Sequence, residues 1–317
     1  MSLITLFSAP KAFTDPDTAR SQRNAIQSWT AVGDMDVLLL GNDEGIGAAA
    51  RELGVRHIPQ VKLNPNGVPL ISSMLTLARD NSESPLLAII NTDIILTPDL
   101  LRAAQALRGL QSSRALRAGF VFVSRRWDLD VPTALEFDAG WEPRLRQDVQ
   151  THGTLHRPTG SDFFLFPRAC YAEIPDFSIG RAGWDNWMIY EARQEGWAVV
   201  DGTPSMLMVH QAHDYRHLPG AKPHYNHPDT QVNTRLAGGQ AAIRYSIVDA
   251  THELRNARLE KPRPTFERFL RGLELFLRRI LFFLPDGWIE KIARPKRWGK
   301  RLRRIFGRSD SQAGGHV

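Results

Sequence analysis

The chain has 317 residues, and its 40 Lys and Arg against 34 Asp and Glu give a net charge of +6. A composition of 42% hydrophobic and 23% charged residues excludes fibrous and intrinsically disordered proteins. The single cysteine, Cys170, excludes an intrachain disulfide and a cysteine-based zinc cluster, and favours a reducing compartment.

Short apolar runs alternate with helical patterns in the first half of the chain. Asp15 is the expected N-cap of the first helix and Thr97 that of the fourth. The patterns predict strands at residues 3–7, 37–40, 55–58 and 86–90, and helices at 16–31, 46–53, 68–78 and 98–110. Such alternation predicts an α/β fold with a doubly wound, mostly parallel sheet.

The second half of the chain has a more mixed pattern. It predicts strands at residues 119–124, 163–166, 197–200 and 206–209, a helix at 184–194 and helical patches over 230–259. Gly196 is expected to end the helix, and residues 261–264 are expected to be a linker. Ligands of doubly wound sheets bind beyond the carboxyl ends of the strands, so residues just after each strand are the first candidates for a site.

Asn91, Thr92 and Asp93 directly follow the apolar strand at 86–90 and form the sharpest such candidate. Mg²⁺ and Mn²⁺ sites commonly combine one or two carboxylates with substrate phosphate oxygens. Taken alone, the tripeptide is more typical of a simple turn.

Turns after the first three predicted strands supply further candidate site residues, although each turn, taken alone, is more typical of an ordinary strand-to-helix connection. They are Ser8 and Pro10 after the first strand, Asp43 after the second, and Asn64 and Gly67 after the third.

Two acidic residues lie in aromatic surroundings. Asp162 opens the strand at 163–166 and is either a candidate site residue or the capped start of a core strand. Asp185 is expected in the first turn of the helix at 184–194, where the helix dipole favours an ionised carboxylate suited to a general base. Trp184 and Trp187 beside it are candidate platforms for pyranose rings, or else core residues.

A histidine-rich stretch begins at His210, at the end of the strand at 206–209. His210 is a candidate metal ligand together with Asp93. The loop after it is expected to be a lid, with Arg216 or Lys222 as diphosphate contacts. The further histidines are His213, His217, His224 and His227.

The order of these motifs resembles the nucleotide-sugar half of a GT-A glycosyltransferase, closest to the bacterial family 2-like group, over roughly residues 1–250. The resemblance implies a D-x-D-type metal motif, in which Asn91 replaces the first carboxylate and Asp93 matches the other. It implies Mg²⁺ or Mn²⁺, a UDP- or GDP-linked sugar donor, a glycan or lipid-linked acceptor, and Asp185 as the base of an inverting enzyme. It also implies that Asp162 binds sugar hydroxyls. The nucleotide-sugar contacts that it implies are Ser8, Pro10, Asp43, Asn64, Gly67, Asn91, Thr92 and Asp93. Retention of configuration also stays open.

Other phosphate-binding and hydrolase motifs fit poorly. The chain has no P-loop and no G-x-S-x-G, and the G-x-G-x-x-A match at residues 45–50 lies too far from its strand for dinucleotide binding. A sugar-nucleotide nucleotidylyltransferase is an alternative, but residues 8–12 lack its glycine-rich loop. A non-catalytic membrane adaptor with a degenerate GT-A domain is another.

Residues 261–308 hold 15 basic and 4 acidic residues, whereas residues 1–260 hold 25 basic and 29 acidic ones. Apolar side chains recur at helical spacing from Phe266 to Leu284, and Trp and Ile residues accompany the Lys and Arg that follow. Residues 265–308 are therefore predicted to bind an anionic membrane surface. Packing of the first of these helices on the catalytic domain stays open as an alternative. Phosphate binding to nucleic acid is less favoured, and nucleic acid is not an expected partner.

The expected organisation is a GT-A-like catalytic domain over residues 1–260, a basic amphipathic helical segment over 261–308 and a disordered tail over 309–317. The N-terminus lacks a basic n-region, and the sequence has no run of about 18 apolar residues. The predicted location is the cytoplasmic face of the membrane, with a role in surface polysaccharide synthesis.

Overall fold

A computed structural model describes residues 1–211 and 227–280. The chain divides into two compact units, Met1–Pro262 and Arg263–Val317. Within the described part of the first unit, nine strands form the main sheet. They are β1 (Ile4–Ser8), β2 (Met35–Leu40), β3 (Arg56–Ile58), β4 (Leu86–Ile90), β6 (Phe120–Val123), β9 (Phe163–Pro167), β10 (Ala198–Asp201), β12 (His252–Arg255) and β13 (Arg258–Glu260).

The strand order is β13-β12-β10-β6-β9-β4-β1-β2-β3. β1 is parallel to β2 and β4, β2 to β3, and β10 to β6 and β12. β9 is antiparallel to β4 and β6, and β13 is antiparallel to β12. The prediction of a mostly parallel α/β sheet is confirmed, with β9 as an antiparallel strand near its centre.

Helices cover both faces of this sheet. The described helices of this unit are α1 (Pro16–Val32), α2 (Ile46–Glu52), α3 (Ile71–Asp80), α4 (Asp99–Leu110), α5 (Trp141–His152), α6 (Trp184–Gln194) and α7 (Pro228–Leu236). Leu6 of β1 belongs to an apolar cluster with Trp29 of α1 and Leu100 of α4. Phe7, the next residue of β1, belongs to the opposite cluster with Met74 of α3 and Met188 of α6. The alternating faces of β1 therefore separate two cores, as a doubly wound sheet requires.

The structure confirms some of the predicted helix and strand limits and corrects one predicted helix cap. β4 and α6 have the predicted limits, and Asp15 caps α1 by accepting a hydrogen bond from the Thr18 N–H. Thr97 is not the cap of α4, because its hydroxyl donates to the Asp99 carboxylate and Pro98 occupies the N-cap position.

A second, smaller sheet lies beyond the ends of the main one. It contains β5 (Ile94–Leu96), β7 (Trp127–Leu129), β8 (Thr154–Leu155) and β11 (Met208–Gln211), in the order β5-β11-β7-β8. Of these, the sequence predicted only β11, two residues too early. Strands of two or three residues are too short to show a period of two, so the pattern gives no signal for them.

In the second unit, α8 (Phe266–Ile280) is the described element. The basic stretch from 281 to 308 and the tail from 309 to 317 lie outside the described residues. Of the helices that the structure describes, none is long and apolar enough to cross a membrane.

Candidate active site

Asp93 and His210 face each other across the small sheet. β5 and β11 are antiparallel, with His210 opposite Ile94, and the Gln211 N–H donates to the Asp93 carbonyl at 3.2 Å. This register places His210 Nε2 3.5 Å from Asp93 Oδ2. The sequence analysis paired the same two residues, but His210 lies inside β11 instead of closing it.

Asp128 of β7 holds the other side of the His210 ring. Its Oδ1 lies 3.0 Å from His210 Nδ1, and its Oδ2 lies 2.7 Å from His156 Nδ1. Burial opposes ionisation of Asp128, but the hydrogen bond from His156 and the charge of Arg126 outweigh it and lower the pKa of the carboxyl. An ionised carboxylate only accepts hydrogen bonds, so each of these ring nitrogens carries a proton.

Arg126 joins this group to Asp162. Its guanidinium donates to Asp128 Oδ1 at 3.1 Å and to the Asp162 carboxylate. Burial opposes the charge of Arg126, but Asp162 and Asp128 raise the pKa of the guanidinium. Asn91 Nδ2 donates to Asp162 Oδ1 at 2.7 Å. The predicted residues Asn91 and Asp162 therefore contact each other directly.

Asp185 lies next to this group, in the first turn of α6. The N–H of Ser161, one residue before Asp162, is 3.4 Å from Asp185 Oδ2, and the Gly183 N–H is 3.3 Å from Oδ1. Burial raises the pKa of Asp185, and the nearby Asp162 raises it further, against the lowering effect of backbone N–H groups. The backbone N–H groups at the start of α6 favour the anion, as expected from the helix position, but desolvation by burial outweighs them.

The turn after β1 contacts the turn after β4. Ser8 Oγ donates to the Ile90 carbonyl at 2.6 Å and lies 2.8 Å from Thr92 Oγ1. Both hydroxyls are buried, and so is Pro10, whereas Asp43 after β2 is exposed. Ser8 and Thr92 thus fix the backbone that carries Asp93.

The turn containing Asn64 and Gly67 has neighbours of its own. Asn64 Oδ1 accepts from the N–H groups of Asn66 and Val68, which closes the turn, and Asn64 Nδ2 donates to Ser178 Oγ at 2.9 Å. Gly67 has φ 78°, a conformation that favours glycine. This turn packs against the loop that precedes α6.

Trp184 and Trp187 do not form sugar platforms in this structure, which corrects that expectation. Their exposed fractions are 5% and 6%. The Trp184 ring is 5.5 Å from the Phe164 ring, and the Trp187 ring is 5.2 Å from the Phe177 ring. The aromatic residues around Asp185 therefore contribute to the core between α6 and the main sheet, and to the desolvation of that carboxylate.

Sequence reasoning missed three residues of the site: Arg126, Asp128 and His156. A signal for the first two was present, because they follow β6 in the same way that Asp93 follows β4. Since the candidates were sought after strands, the stretch after β6 qualified as well. His156 follows the two-residue strand β8 and had no comparable signal.

The donor set suits Mg²⁺ or Mn²⁺ when a diphosphate is also bound. Asp93 and His210 present one carboxylate and one imidazole nitrogen close together. Among the described residues there is no group of three His, Cys, Asp or Glu side chains that could hold a metal ion. Two protein ligands leave the remaining positions to phosphate oxygens and water, as is usual for these ions.

Part of the expected lid lies outside the described residues. This applies to His213, Arg216, His217, Lys222 and His224. His227 is described and caps α7, because its Nδ1 accepts a hydrogen bond from the Asp229 N–H at 3.1 Å.

No protein-family model matches this chain, and no curated protein matches it either. Among solved structures, glucosyl-3-phosphoglycerate synthase from Mycobacterium tuberculosis in complex with Mg²⁺ and UDP is 13% identical, with a TM-score of 0.44 over 75% of this chain and 80% of that chain. The same synthase in complex with Mn²⁺, UDP and phosphoglyceric acid is also 13% identical, with a TM-score of 0.44 over 75% of this chain and 79% of that chain. A likeness at this level does not assign an activity to this chain.

Proposed function

We propose that this protein is a glycosyltransferase that uses a divalent metal ion and a nucleotide-diphospho-sugar. One observation carries the proposal: the Asp93–His210 pair, the Arg126–Asp162 pair and the Asp185 carboxylate form one continuous group beyond the carboxyl end of β4. Transfer of a sugar to a hydroxyl requires a site that binds the metal ion and the diphosphate. It also requires a carboxylate beside that site to take the proton of the hydroxyl.

In this reaction the acceptor oxygen forms a bond to the anomeric carbon of the sugar, and the bond from that carbon to the diphosphate oxygen breaks. The diphosphate leaves with the electron pair. Asp185 takes the proton of the acceptor hydroxyl, and its raised pKa brings its basicity nearer to a neutral working pH. Asp162, held by Arg126 and Asn91, is placed to accept hydrogen bonds from sugar hydroxyls. Mg²⁺ or Mn²⁺ on Asp93 and His210 would neutralise the charge of the departing diphosphate.

A transfer assay across UDP-, GDP- and dTDP-sugars, with and without Mn²⁺, tests the proposal. We expect sugar release or transfer from one donor class, dependent on Mn²⁺.

Asp185→Asn should lower kcat by about 10²- to 10⁴-fold, because it removes the base. Asp93→Ala should abolish the dependence on Mn²⁺. Asp130→Asn is the control, since Asp130 lies exposed just beyond β7. Full activity of Asp185→Asn would contradict the role of the base.

Calorimetry with UDP and GDP, each with and without Mn²⁺, separates the enzyme from the adaptor alternative. An enzyme of this class binds one of the two nucleotides more tightly when Mn²⁺ is present. Failure of the full chain to bind either nucleotide under any of these conditions would favour a non-catalytic adaptor.

We further propose that α8 associates with an anionic membrane surface, where a lipid-linked or surface-glycan acceptor would be found. Several aromatic side chains of α8 are exposed. Phe266, Phe269 and Phe276 are 61%, 66% and 59% exposed. By contrast, Arg271 and Glu274 are buried, and Arg271 Nη1 lies 3.2 Å from Glu274 Oε1. Exposed aromatic side chains near a Lys- and Arg-rich sequence suit the interface of an anionic bilayer.

Sedimentation of the full chain with vesicles tests this surface. We expect binding to vesicles that contain anionic lipid, weaker binding at high salt, and loss of binding in the double variant Phe269→Ser with Phe276→Ser. Leu236→Ser is the matched control, because Leu236 is an exposed apolar residue of α7. Binding that the double variant retains would contradict the proposal. A concentration-dependent dimer that this variant abolishes, without vesicle binding, would assign the face to a second copy of the chain.

A further inference from the structure

We propose that Asp128 is a positioning residue that fixes the tautomer of His210, so that Nε2 of the neutral ring presents its lone pair toward Asp93 and a divalent cation. This inference rests on the proposed metal site. It adds a residue that contacts neither the nucleotide nor the cation, and that acts through the ring it holds.

The geometry of the ring supports this role. His210 Nδ1 lies 3.0 Å from Asp128 Oδ1, and Nε2 lies 3.5 Å from Asp93 Oδ2, so each ring nitrogen faces a carboxylate. The shorter contact is the one with Asp128, which accepts the hydrogen bond from Nδ1 and so holds the ring in place. A cation beside Asp93 would take the place of a proton on Nε2, because a metal-bound imidazole nitrogen carries none.

Asp128 is itself held from two further directions. His156 Nδ1 lies 2.7 Å from Oδ2, and Arg126 Nε lies 3.1 Å from Oδ1. A carboxylate fixed at both oxygens cannot rotate away from His210 without losing these bonds. Outer carboxylates that orient metal-binding histidines typically change metal affinity about 10- to 100-fold when they are removed.

β7 is the element that makes this contact possible. It runs parallel to β11, with Asp128 opposite His210 in the register. The adjacent pairing of β11 with β5 sets the distance to Asp93. His210 is therefore held between two carboxylates from neighbouring strands, one on each side of the ring.

A double-mutant cycle on the full chain tests whether Asp128 acts through His210. Mn²⁺ affinity in the presence of UDP is measured by calorimetry for the wild type, Asp128→Ala, His210→Ala and the double variant. We expect Asp128→Ala to weaken Mn²⁺ binding about 10- to 100-fold in the wild type and to have no further effect in His210→Ala. An additive loss in the double variant would overturn the inference, since Asp128 would then act on the metal by itself.

Two further variants separate positioning from a general structural effect. Asp128→Asn keeps an oxygen that can accept from Nδ1, so it should retain more Mn²⁺ affinity than Asp128→Ala. Asp130→Ala, at the exposed end of the same segment, should leave Mn²⁺ affinity unchanged. UDP affinity measured in chelator should be the same in all these variants. Equal Mn²⁺ affinity in Asp128→Ala and the wild type would overturn the inference.

The tautomer can also be observed in the metal-free wild type, so this measurement does not depend on the folding of the Asp128 variants. ¹⁵N-histidine labelling and proton–nitrogen correlation at a pH where the ring is neutral show which nitrogen of His210 carries the proton, and His210→Gln assigns the signal. We expect the proton on Nδ1. A proton on Nε2 would overturn the inference, whereas a wild type that binds no Mn²⁺ but has the proton on Nδ1 would refute the proposed metal site alone.

Discussion

Asp185 lies between the buried Trp184 and Trp187 in the chain, and its carboxylate contacts the backbone of the segment that carries Asp162. Three backbone N–H groups stabilise its anion, yet burial and the charge of Asp162 together raise its pKa. The balance between these contributions decides how strong a base it is. A carboxylate that is harder to ionise is a better proton acceptor once it is ionised.

The raised pKa of Asp185 predicts the acidic limb of the pH–rate profile. The base works as the anion, so activity falls as the pH drops through its pKa. Because that pKa is raised, we expect the limb of kcat/KM above the ordinary aspartate range near about 3.9. Asp185→Asn should remove the limb, and Asp130→Asn should leave it in place. A limb unchanged in Asp185→Asn would show that another group is the base.

The Arg126–Asp162 pair predicts a large loss of stability when one partner is removed. Both side chains are mostly buried, so Arg126→Ala leaves the Asp162 carboxylate without its main counter-ion. We expect the free energy of unfolding to fall by about 3–5 kcal/mol, measured by denaturant titration at neutral pH.

Arg144→Ala is the matched control for this loss. Arg144 pairs with Asp138, and both side chains are more than half exposed. Solvent screens such a pair, so its removal should have a much smaller effect than that of Arg126→Ala. Equal losses in the two variants would contradict the structural importance of the buried pair.

At the scale of elements, the apolar strands were predictable and the short strands were not. β4 has five consecutive apolar residues, so its burial on both faces is evident from its composition. β5 and β7 have three residues each and form only because longer elements bring them together. Asp128 lies in β7, and Asp93 directly precedes β5. The site therefore depends on strands that the sequence pattern does not predict.

Because β10 packs closely against β6, we expect that a single added methyl group at Gly202 lowers the stability of the protein. Gly202 follows β10, and a Cβ there would lie 2.1 Å from Cζ of the buried Phe122 ring. We expect Gly202→Ala to destabilise the protein by about 1–3 kcal/mol in denaturant titration.

Gly109→Ala is the control for this packing effect. Gly109 lies in α4, where a Cβ would meet nothing within 4 Å. In a helix, alanine is favoured over glycine, so this change should be stabilising by about 0.5–1 kcal/mol. Destabilisation of similar size in both variants would contradict the packing explanation.

At the scale of the whole molecule, the site residues come from distant parts of the chain. The contact of Ser8 with Thr92 spans 84 residues, and that of His210 with Asp128 spans 82. A ligand that bridges these segments binds only the folded state, so it should stabilise the entire first unit.

Thermal unfolding with UDP and Mn²⁺ checks this coupling. At a ligand concentration of 100 times Kd, binding should add about 2.7 kcal/mol to the free energy of unfolding. Chelator should remove the part that depends on the metal, and Asp93→Ala should lack that part from the start. A melting temperature that UDP and Mn²⁺ leave unchanged would contradict nucleotide binding at this site.

The sequence by itself determined the alternation of strands and helices, and with it the mostly parallel sheet. Apolar periodicity is a local property, and burial of those side chains is the main force that forms the sheet. The rule that ligands bind beyond strand ends then led to Asn91 and Asp93. The sequence also indicated Asp162 and Asp185, which begin predicted elements, and His210, which follows one.

Only the tertiary structure decided how these residues are connected. Arg126 and Asp128 have a function because β7 lies beside β11, and the pairing of three-residue strands leaves no periodic trace in the chain. The tertiary structure also placed Trp184 and Trp187 in the core and raised the pKa of Asp185 above the expectation from its helix position. Burial and charge pairing depend on neighbours that are distant in the sequence, so they arise only when the chain is folded.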